Sequence, residues 1–152
     1  MVLPLDQGPV VTSDTIQPIG GAELRKPGTD AVIITSGTMV RVALEAAQLL
    51  ESDGLQVGVL DLRWLAALDE ETIRSAATRA NGKVVVAHEA NVTGGFGAKI
   101  VARLHELSEN GAPLKIKRVG TPNVRIPATP SLSQELLPNP KRIADAVRAV
   151  VK

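Results

Sequence analysis

Apolar and polar residues follow two patterns along most of this chain, one typical of buried strands and the other of amphipathic helices. Runs rich in Val, Ile, Leu and Ala predict strands at Ala22–Arg25, Ala31–Thr35, Leu55–Leu62, Lys83–Ala87 and Leu114–Val119. Only the turn residues Lys26 to Asp30 separate the first two strands, and this is too short for a parallel crossover. These two strands are therefore expected to run in opposite directions.

Four longer segments carry apolar residues at helical spacing. They predict helices at Thr38–Ser52, from the N-cap Asp69 to about Asn81, at Ala98–Glu109 and at Pro140–Val151. The inner face of the first helix is expected to consist of Val40, Ala43, Leu44, Ala47 and Leu50. Strands that alternate with helices through right-handed crossovers predict an α/β fold, a three-layer α/β/α sandwich.

The beginning of the chain shows neither of these two patterns. Met1–Pro18 contains Pro4, Pro9 and Pro18 among Asp, Ser, Thr and Gln, and it has no sustained apolar period. This composition predicts a linker or extended arm that stays poorly ordered unless another chain holds it. The folded domain is expected to span residues 19–152.

Composition narrows the class of protein. The chain has 152 residues, of which 44% are hydrophobic, and this fits one domain with a substantial core. A net charge of +1, one Phe, one Trp and no Tyr argue against a nucleic-acid partner. The sequence has no cysteine, no basic-then-apolar leader pattern and no apolar run near the roughly 20 residues that span a bilayer. We therefore expect a cytoplasmic protein without disulfides and without a membrane partner.

A glycine-rich turn stands between a predicted strand and a predicted helix. Its residues are Thr93, Gly94, Gly95, Phe96 and Gly97. Backbone amides at the start of a helix can hold an anion, helped by the helix dipole. Such a turn can equally let a helix pack closely on a sheet, or meet another subunit with Phe96 as the anchor. The spacing is not the G-x-G-x-x-G of dinucleotide sites, and both the anion loop and the packing or interface loop stay open.

His88 and Glu89 follow the predicted strand Lys83–Ala87, at the edge of the sheet where catalytic residues of α/β proteins concentrate. A histidine beside a carboxylate can relay protons near neutral pH. Neighbouring strand residues point to opposite faces, so these two are not expected to form a dyad by themselves. The alternative is a structural histidine bonded to a loop carbonyl. Both residues are candidates for a position close to a site, and no catalytic residue is assigned.

The remaining polar candidates carry less information. Asp61 and Arg63 end a strand and form either an ion pair that orients the next loop or a partly exposed salt bridge of little energetic weight. Two distant histidines and no cysteine give no metal-ligand spacing, so no metal site is predicted. The predicted edge strand carries the basic residues Lys115, Lys117 and Arg118. Positive charges on an edge strand discourage its pairing with another sheet.

A series of short motifs from Ile19 onward resembles one protein family in order and spacing. The motifs are Gly28–Asp30, Ser36–Met39, Asp61–Arg63, Leu68–Asp69, His88–Ala90, Thr93–Gly97, Arg118–Val119, Ile126–Pro127, Leu136–Pro138 and Arg142–Ile143. Together they resemble the transketolase-like C-terminal domain of the β subunit of thiamine-diphosphate-dependent 2-oxo acid dehydrogenases, of the branched-chain or pyruvate type. Ala67 replaces a usual proline of that family, and Ser133 replaces a usual glutamate. The second departure leaves the contacts of the tail open.

The resemblance implies a fold and a role. The fold is a five-stranded mixed sheet in the order 1-3-2-4-5 with the first strand antiparallel. The role is that of a dimerisation and assembly domain, which forms a homodimer and meets an α subunit and an acyltransferase core in the parent complex. In the family, thiamine diphosphate and magnesium are held by a preceding domain and by the α subunit. This chain alone is therefore expected to bind neither of them and to be inactive.

Two alternatives stay open beside this role. The same fold forms the C-terminal half of transketolases and deoxyxylulose-phosphate synthases, which act on sugar phosphates. A free-standing α/β module that binds an anionic ligand at the glycine turn is a different functional class. The turn Thr93–Gly97 and the tail with its leucines and prolines favour the oxo-acid enzymes.

Overall fold

The computed structural model describes residues 19–108 and 113–152. The predicted linker, residues 1–18, lies outside the described residues, and so does Glu109 at the end of a predicted helix. The described part of the chain forms three layers, with a five-stranded sheet between two layers of helices.

The strands of the sheet are β1 Glu23–Lys26, β2 Ala31–Thr35, β3 Val57–Asp61, β4 Lys83–Asn91 and β5 Lys115–Thr121. Aliphatic residues run almost without interruption through the three central strands, whereas the two edge strands, β1 and β5, contain charged residues. The order of the strands across the sheet is β1-β3-β2-β4-β5, with β1 antiparallel to β3 and the other neighbours parallel. The predicted order and directions are confirmed. The strand β4 is longer than predicted and includes His88 and Glu89.

Five helices connect or follow these strands in the described residues. They are α1 Met39–Glu51, α2 Glu70–Arg79, α3 Gly97–Leu107, α4 Pro130–Leu136 and α5 Pro140–Val151. The four predicted helices are confirmed. The helix α4 was not predicted, because none of its residues is buried and it therefore has no apolar period to detect.

Both faces of the sheet are covered. On one face the aliphatic side chains meet α1 and α5, and on the other they meet α2 and α3. In β2, Ile33 points into the first layer and Ile34 into the second, and both are fully buried. Strands buried on both faces need continuous aliphatic runs, which is the pattern that the sequence shows.

The buried face of α1 differs slightly from the predicted one. Ala43 and Leu50 are fully buried as predicted, but Ala46 is buried too, whereas Val40 and Leu44 are only partly covered. The reason lies in the tertiary structure, because α1 packs against α5 as well as against the sheet. Two neighbours set the contact surface of α1, and helical spacing alone reveals only its mean direction.

Candidate functional site

The connections that leave β2 and β4 run in opposite directions. From β2 the chain crosses through α1 to β3, and from β4 it crosses through α3 to β5, at the other end of the sheet. The helices α1 and α3 lie on opposite faces. Since β2 and β4 are adjacent and parallel, a crevice opens between their carboxyl ends. Such switch points are where ligands bind in open α/β sheets.

A cavity of about 250 Å³ occupies this crevice. Its buried lining is mainly aliphatic and includes Ile34, Val86 and Ile100. The polar residues that line it are Thr35, Ser36, Thr38, His88 and Glu89. The structure thus brings His88 and Glu89 together with Phe96 and Gly97 of the glycine turn, which also line the cavity.

The ring of His88 packs closely against the backbone of Gly95 and Gly97. Both ring nitrogens are buried, and neither has a hydrogen-bond partner among the described residues. A Cβ atom on Gly97 would lie 2.2 Å from Nε2, and one on Gly95 would lie 2.8 Å from Cε1. Only glycine lets the turn come this close to the ring. The expected bond to a loop carbonyl is not made in hydrogen-bond geometry, although the Ala90 backbone lies near the ring.

These surroundings keep the His88 ring uncharged at neutral pH. Burial lowers the pKa of His88 below its usual 6.5, the positive charge of Arg118 lowers it further, and the Ala90 backbone opposes both effects. The ring nitrogens make no bond to Glu89. His88 and Glu89 therefore do not act as a proton relay with each other in this arrangement.

Two threonines hold the end of β4 where its pairing with β5 is irregular. The register shifts between Ala87 and Asn91. Thr35 Oγ1 donates to the Ala87 carbonyl at 2.8 Å, and Thr121 Oγ1 donates to the Glu89 carbonyl at 2.6 Å. Both threonines are buried, and their bonds satisfy carbonyls in the region where the ladder is interrupted.

Arg118 holds the next part of the chain. One of its guanidinium nitrogens donates to the Val92 carbonyl at 2.7 Å, which ties the beginning of the glycine turn to β5. The sequence analysis assigned Arg118 to edge protection and to one of the family motifs, and it missed Thr35 and Thr121. Thr35 ends the buried aliphatic run of β2, and this position is a signal because a buried hydroxyl needs a hydrogen-bond partner. Thr121 ends the charged strand β5 and carries no such signal in the sequence.

Phe96 belongs partly to the core. It occupies the N-cap position of α3, its side chain is half-buried, and it packs against the aliphatic layer under α2 and α3. The ammonium of Lys99 lies 5.7 Å from the centre of its ring. The interface role of Phe96 stays a prediction, and so does the anion-binding role of the turn.

The other predicted candidates lie apart from the crevice or have structural partners. The Asp61 carboxylate accepts the backbone N–H of Arg63 at 3.0 Å, and the Arg63 guanidinium pairs with Glu23 at 3.5 Å. The second histidine of the chain, His105, is not a candidate, and it is exposed on α3. Among residues 19–108 and 113–152, no group of three or more His, Asp and Glu is placed to hold a metal ion. In the same residues no helix has the length and apolarity to span a membrane.

A larger cavity lies at the opposite edge of the sheet. It has about 510 Å³ and is lined mainly by α2, α3 and the entry to β5, including Leu104, Leu107 and Leu114. Another cavity, of about 620 Å³, lies between the loop that precedes α2 and the helix α3. The crevice between β2 and β4 is the candidate site because it lies at the switch point and contains His88, Glu89 and residues of the glycine turn.

The sequence pattern of one family covers this whole arrangement. The family described as transketolase, C-terminal domain, matches residues 20–143, from the residues before β1 into α5. This chain belongs to the transketolase C-terminal domain family. The resemblance carried by the short motifs is confirmed.

Individual relatives of this transketolase C-terminal domain come from more than one enzyme group. The 2-oxoisovalerate dehydrogenase subunit beta of Bacillus subtilis (strain 168) is 34% identical over 151 residues, which cover 97% of this chain and 45% of that protein. The 1-deoxy-D-xylulose-5-phosphate synthase of Parasynechococcus marenigrum (strain WH8102) is 38% identical over 133 residues, 86% of this chain and 20% of that protein. The chain spans less than half the length of these curated relatives.

A solved structure shares the fold of this transketolase C-terminal domain. It is described as a split gene transketolase, inactive beta4 tetramer, and it matches with a TM-score of 0.80 and 31% identity. The match covers 94% of this chain and 46% of that chain. The predicted fold class is confirmed.

Proposed function

We propose that this chain is the C-terminal domain of the β subunit of a thiamine-diphosphate-dependent 2-oxo acid dehydrogenase, and that it serves dimerisation and assembly rather than catalysis. The substrate of the whole enzyme would be a branched-chain 2-oxo acid or pyruvate. The observation that supports this most is the match to the Bacillus subtilis β subunit over 97% of the chain. The motifs at the carboxyl edge of the sheet, from His88 to Gly97, belong to the same resemblance.

The described residues do not fit the cofactor itself. A cavity of about 250 Å³ is smaller than the roughly 300–1,000 Å³ of typical small-molecule sites, and its buried lining is mainly aliphatic. Magnesium prefers several oxygen ligands, and no cluster of three or more acidic residues or histidines exists in the part of the chain that the structure describes. We therefore assign no step of the decarboxylation to residues of this chain. Thiamine diphosphate supplies the electron sink of that reaction, and in the proposed enzyme a preceding domain and an α subunit hold it.

Association with a second copy is part of the proposed role. The solved relative is described as a tetramer, which supports self-association in this family. Large apolar side chains are exposed on the two loops that leave the carboxyl edge, namely Trp64, Leu65, Val124 and Ile126. Leu65 also lines the crevice, and exposed apolar side chains that form a contiguous patch are typical of protein contacts. An α subunit and an acyltransferase core are the further partners of the proposed complex.

A second candidate function is supported by the sequence identity to a deoxyxylulose-phosphate synthase. The synthase from Parasynechococcus marenigrum is 38% identical, slightly above the 34% of the β subunit, but over a shorter part of the chain. In that case the chain would be the C-terminal part of an enzyme that acts on sugar phosphates.

A pair of chimeric enzymes separates the two candidates. Residues 19–152 of this chain replace the matching C-terminal part of the Bacillus subtilis β subunit in one chimera and of the synthase in the other. We expect the first chimera to assemble with its α subunit and to decarboxylate 2-oxoisovalerate, and the second to be poorly active. Activity of the synthase chimera alone would overturn the proposed function in favour of the sugar-phosphate enzymes.

A further inference from the structure

His88 is a titratable residue that the proposed assembly role does not use. Both of its ring nitrogens are buried without a hydrogen-bond partner among the described residues, although a neutral imidazole has one donor and one acceptor. It stands in the part of β4, between Ala87 and Asn91, where the ladder to β5 is irregular. Opening of this segment would give the ring nitrogens the hydrogen bonds with water that they lack.

The glycine turn closes directly over the ring. A Cβ atom on Gly97 would lie 2.2 Å from Nε2, and one on Gly95 would lie 2.8 Å from Cε1. On β5, a Cβ atom on Gly120 would lie 3.2 Å from Cε1. The ring is therefore a spacer between β5 and the start of α3. A new hydrogen-bond partner can reach it from these sides only if the turn moves.

The charges around the ring disfavour a positive imidazole. Arg118 faces it from β5, with its guanidinium held by the Val92 carbonyl. The start of α3 presents the positive end of the helix dipole without an acidic residue in the first turn, and its first charged residue is Lys99. On β4 the adjacent carboxylate is Glu89, to which the ring nitrogens make no hydrogen bond. The neighbouring strand β2 contributes no charged residue.

We propose that protonation of His88 opens the glycine turn. A proton on the ring makes both nitrogens donors, and neither has an acceptor in hydrogen-bond geometry in the closed turn, where the Ala90 backbone lies near the ring without forming such a bond. The imidazolium then leaves the glycines for water, and residues 91–96 leave the sheet edge with it. The strand β4 up to Ala87 stays in the core.

Proton linkage defines the pH range. In the closed form burial and then Arg118 lower the pKa of His88, whereas in the open form the ring has its usual pKa of 6.5. The closed form therefore binds fewer protons than the open form. The ratio of open to closed molecules rises by up to about tenfold per pH unit below 6.5, until the lowered pKa is reached.

The opening also affects the proposed subunit contact. The turn carries Phe96, the predicted interface anchor, so acid should weaken self-association. This consequence rests on the proposed function, whereas the opening itself does not.

Amide hydrogen exchange of the full 152-residue chain, followed by NMR at about pH 7.5 and about pH 5.5, tests the opening. After correction for intrinsic exchange rates, amides 91–96 should lose about tenfold in protection at the lower pH. The amide of Ile33 in β2 should not change. Equal loss at Ile33 would mean global destabilisation and would overturn the proposal, as would unchanged protection of the turn.

Two variants assign the effect to the ring. His88→Asn cannot titrate and should abolish the pH dependence, whereas His105→Asn on the exposed side of α3 should preserve it. A pH dependence that persists in His88→Asn overturns the proposal. If that variant does not fold, the pKa of His88 is measured instead from its NMR ring signals in the unmodified chain. A pKa at or above 6.5 overturns the proposal. Sedimentation at both pH values is a separate readout, and opening without loss of association would contradict only the link to the proposed function.

Discussion

Two glycines of the same turn are needed for different physical reasons. Gly94 has φ +73°, a left-handed conformation, and open space around it. Gly97 is not among the residues with positive φ, but a Cβ atom there would lie 2.2 Å from Nε2 of His88 and 2.3 Å from Cδ2. The requirement at Gly94 is conformational and local, whereas the requirement at Gly97 is steric and depends on a residue of another element.

Gly97→Ala should lower the free energy of unfolding by about 1–3 kcal/mol, because the methyl group overpacks the contact with His88. Urea unfolding measures this. In a His88→Ala background the same change should be neutral or slightly stabilising, since alanine is the better helix former and the obstacle is gone. An equal loss in both backgrounds would show that the contact with His88 is not the cause.

At the scale of elements, the start of α2 is organised by one carboxylate. Asp69 accepts the backbone N–H of Thr72 at 3.0 Å and its hydroxyl at 2.8 Å, and it accepts the backbone N–H of Ala22 at 3.1 Å. The bond from the Thr72 backbone lowers the pKa of Asp69 below its usual 3.8, and burial partly opposes this. The cap thus joins α2 to the chain that leads into β1.

Asp69→Ala should lower the free energy of unfolding by about 1–2 kcal/mol at neutral pH, and Asp69→Asn by less, because asparagine also caps helices. The pKa of this carboxyl is lower in the folded chain, so its contribution is present above pH 3.8 and is lost as the pH falls through the lowered value. Chemical unfolding at about pH 7 and about pH 2 checks this. A cost of Asp69→Ala that does not shrink in acid would contradict it.

The helix α4 depends on its neighbours rather than on its own sequence. None of its residues is buried, and so packing contributes little to it. Arg142 at the start of α5 donates to the Leu136 carbonyl at 2.7 Å and to the Gly120 carbonyl at 2.8 Å. One guanidinium therefore links the end of α4 to β5.

Arg142→Ala should lower the free energy of unfolding by about 1–3 kcal/mol and remove the hydrogen-exchange protection of α4, because two carbonyls lose a charged donor. Lys141→Ala is the matched control, since Lys141 is exposed and pairs with Asp145 on the surface. Its cost should stay within about 0.5 kcal/mol. Retained protection of α4 in Arg142→Ala would show that another contact holds this helix.

At the scale of the whole molecule, the proposed assembly role requires a second copy. We expect a homodimer at high concentration with an interface of roughly 1,200–2,000 Å² in total. Phe96→Ala should weaken association by about 2 kcal/mol or more, at least about thirtyfold in Kd, measured by sedimentation equilibrium. Leu49→Ala, an exposed leucine on α1, should leave association unchanged.

Since Phe96 also packs on the core, its variant must be checked for folding in the same experiment. Global unfolding of Phe96→Ala would make this residue a core residue and contradict its interface role. A monomer at all concentrations would contradict the homodimer.

The isolated chain should bind no thiamine diphosphate and should not decarboxylate 2-oxo acids, because the crevice is too small for the cofactor and its buried lining is mainly aliphatic. Titration calorimetry with thiamine diphosphate and magnesium tests this. Micromolar affinity would place the cofactor on this chain and contradict the division of roles in the proposed enzyme.

The amino-acid sequence by itself determined the α/β class and most elements. Burial on both faces demands uninterrupted aliphatic runs such as Ala31–Thr35, and burial on one side demands the helical spacing of Pro140–Val151. Both patterns are local, and these two elements have the predicted limits. The strand order was available only through the resemblance to a family, because pairing joins segments that are distant along the chain.

The tertiary structure decided what happens at the end of β4. The sequence pattern placed His88 at the carboxyl edge, but the glycines that enclose its ring come from the turn and from β5. The bonds from Thr35 and Thr121 that hold the strand likewise come from β2 and β5. Local spacing reports how deeply a residue is buried, whereas the partner that it meets depends on the arrangement of all the elements, and at this site the partners determine the chemistry.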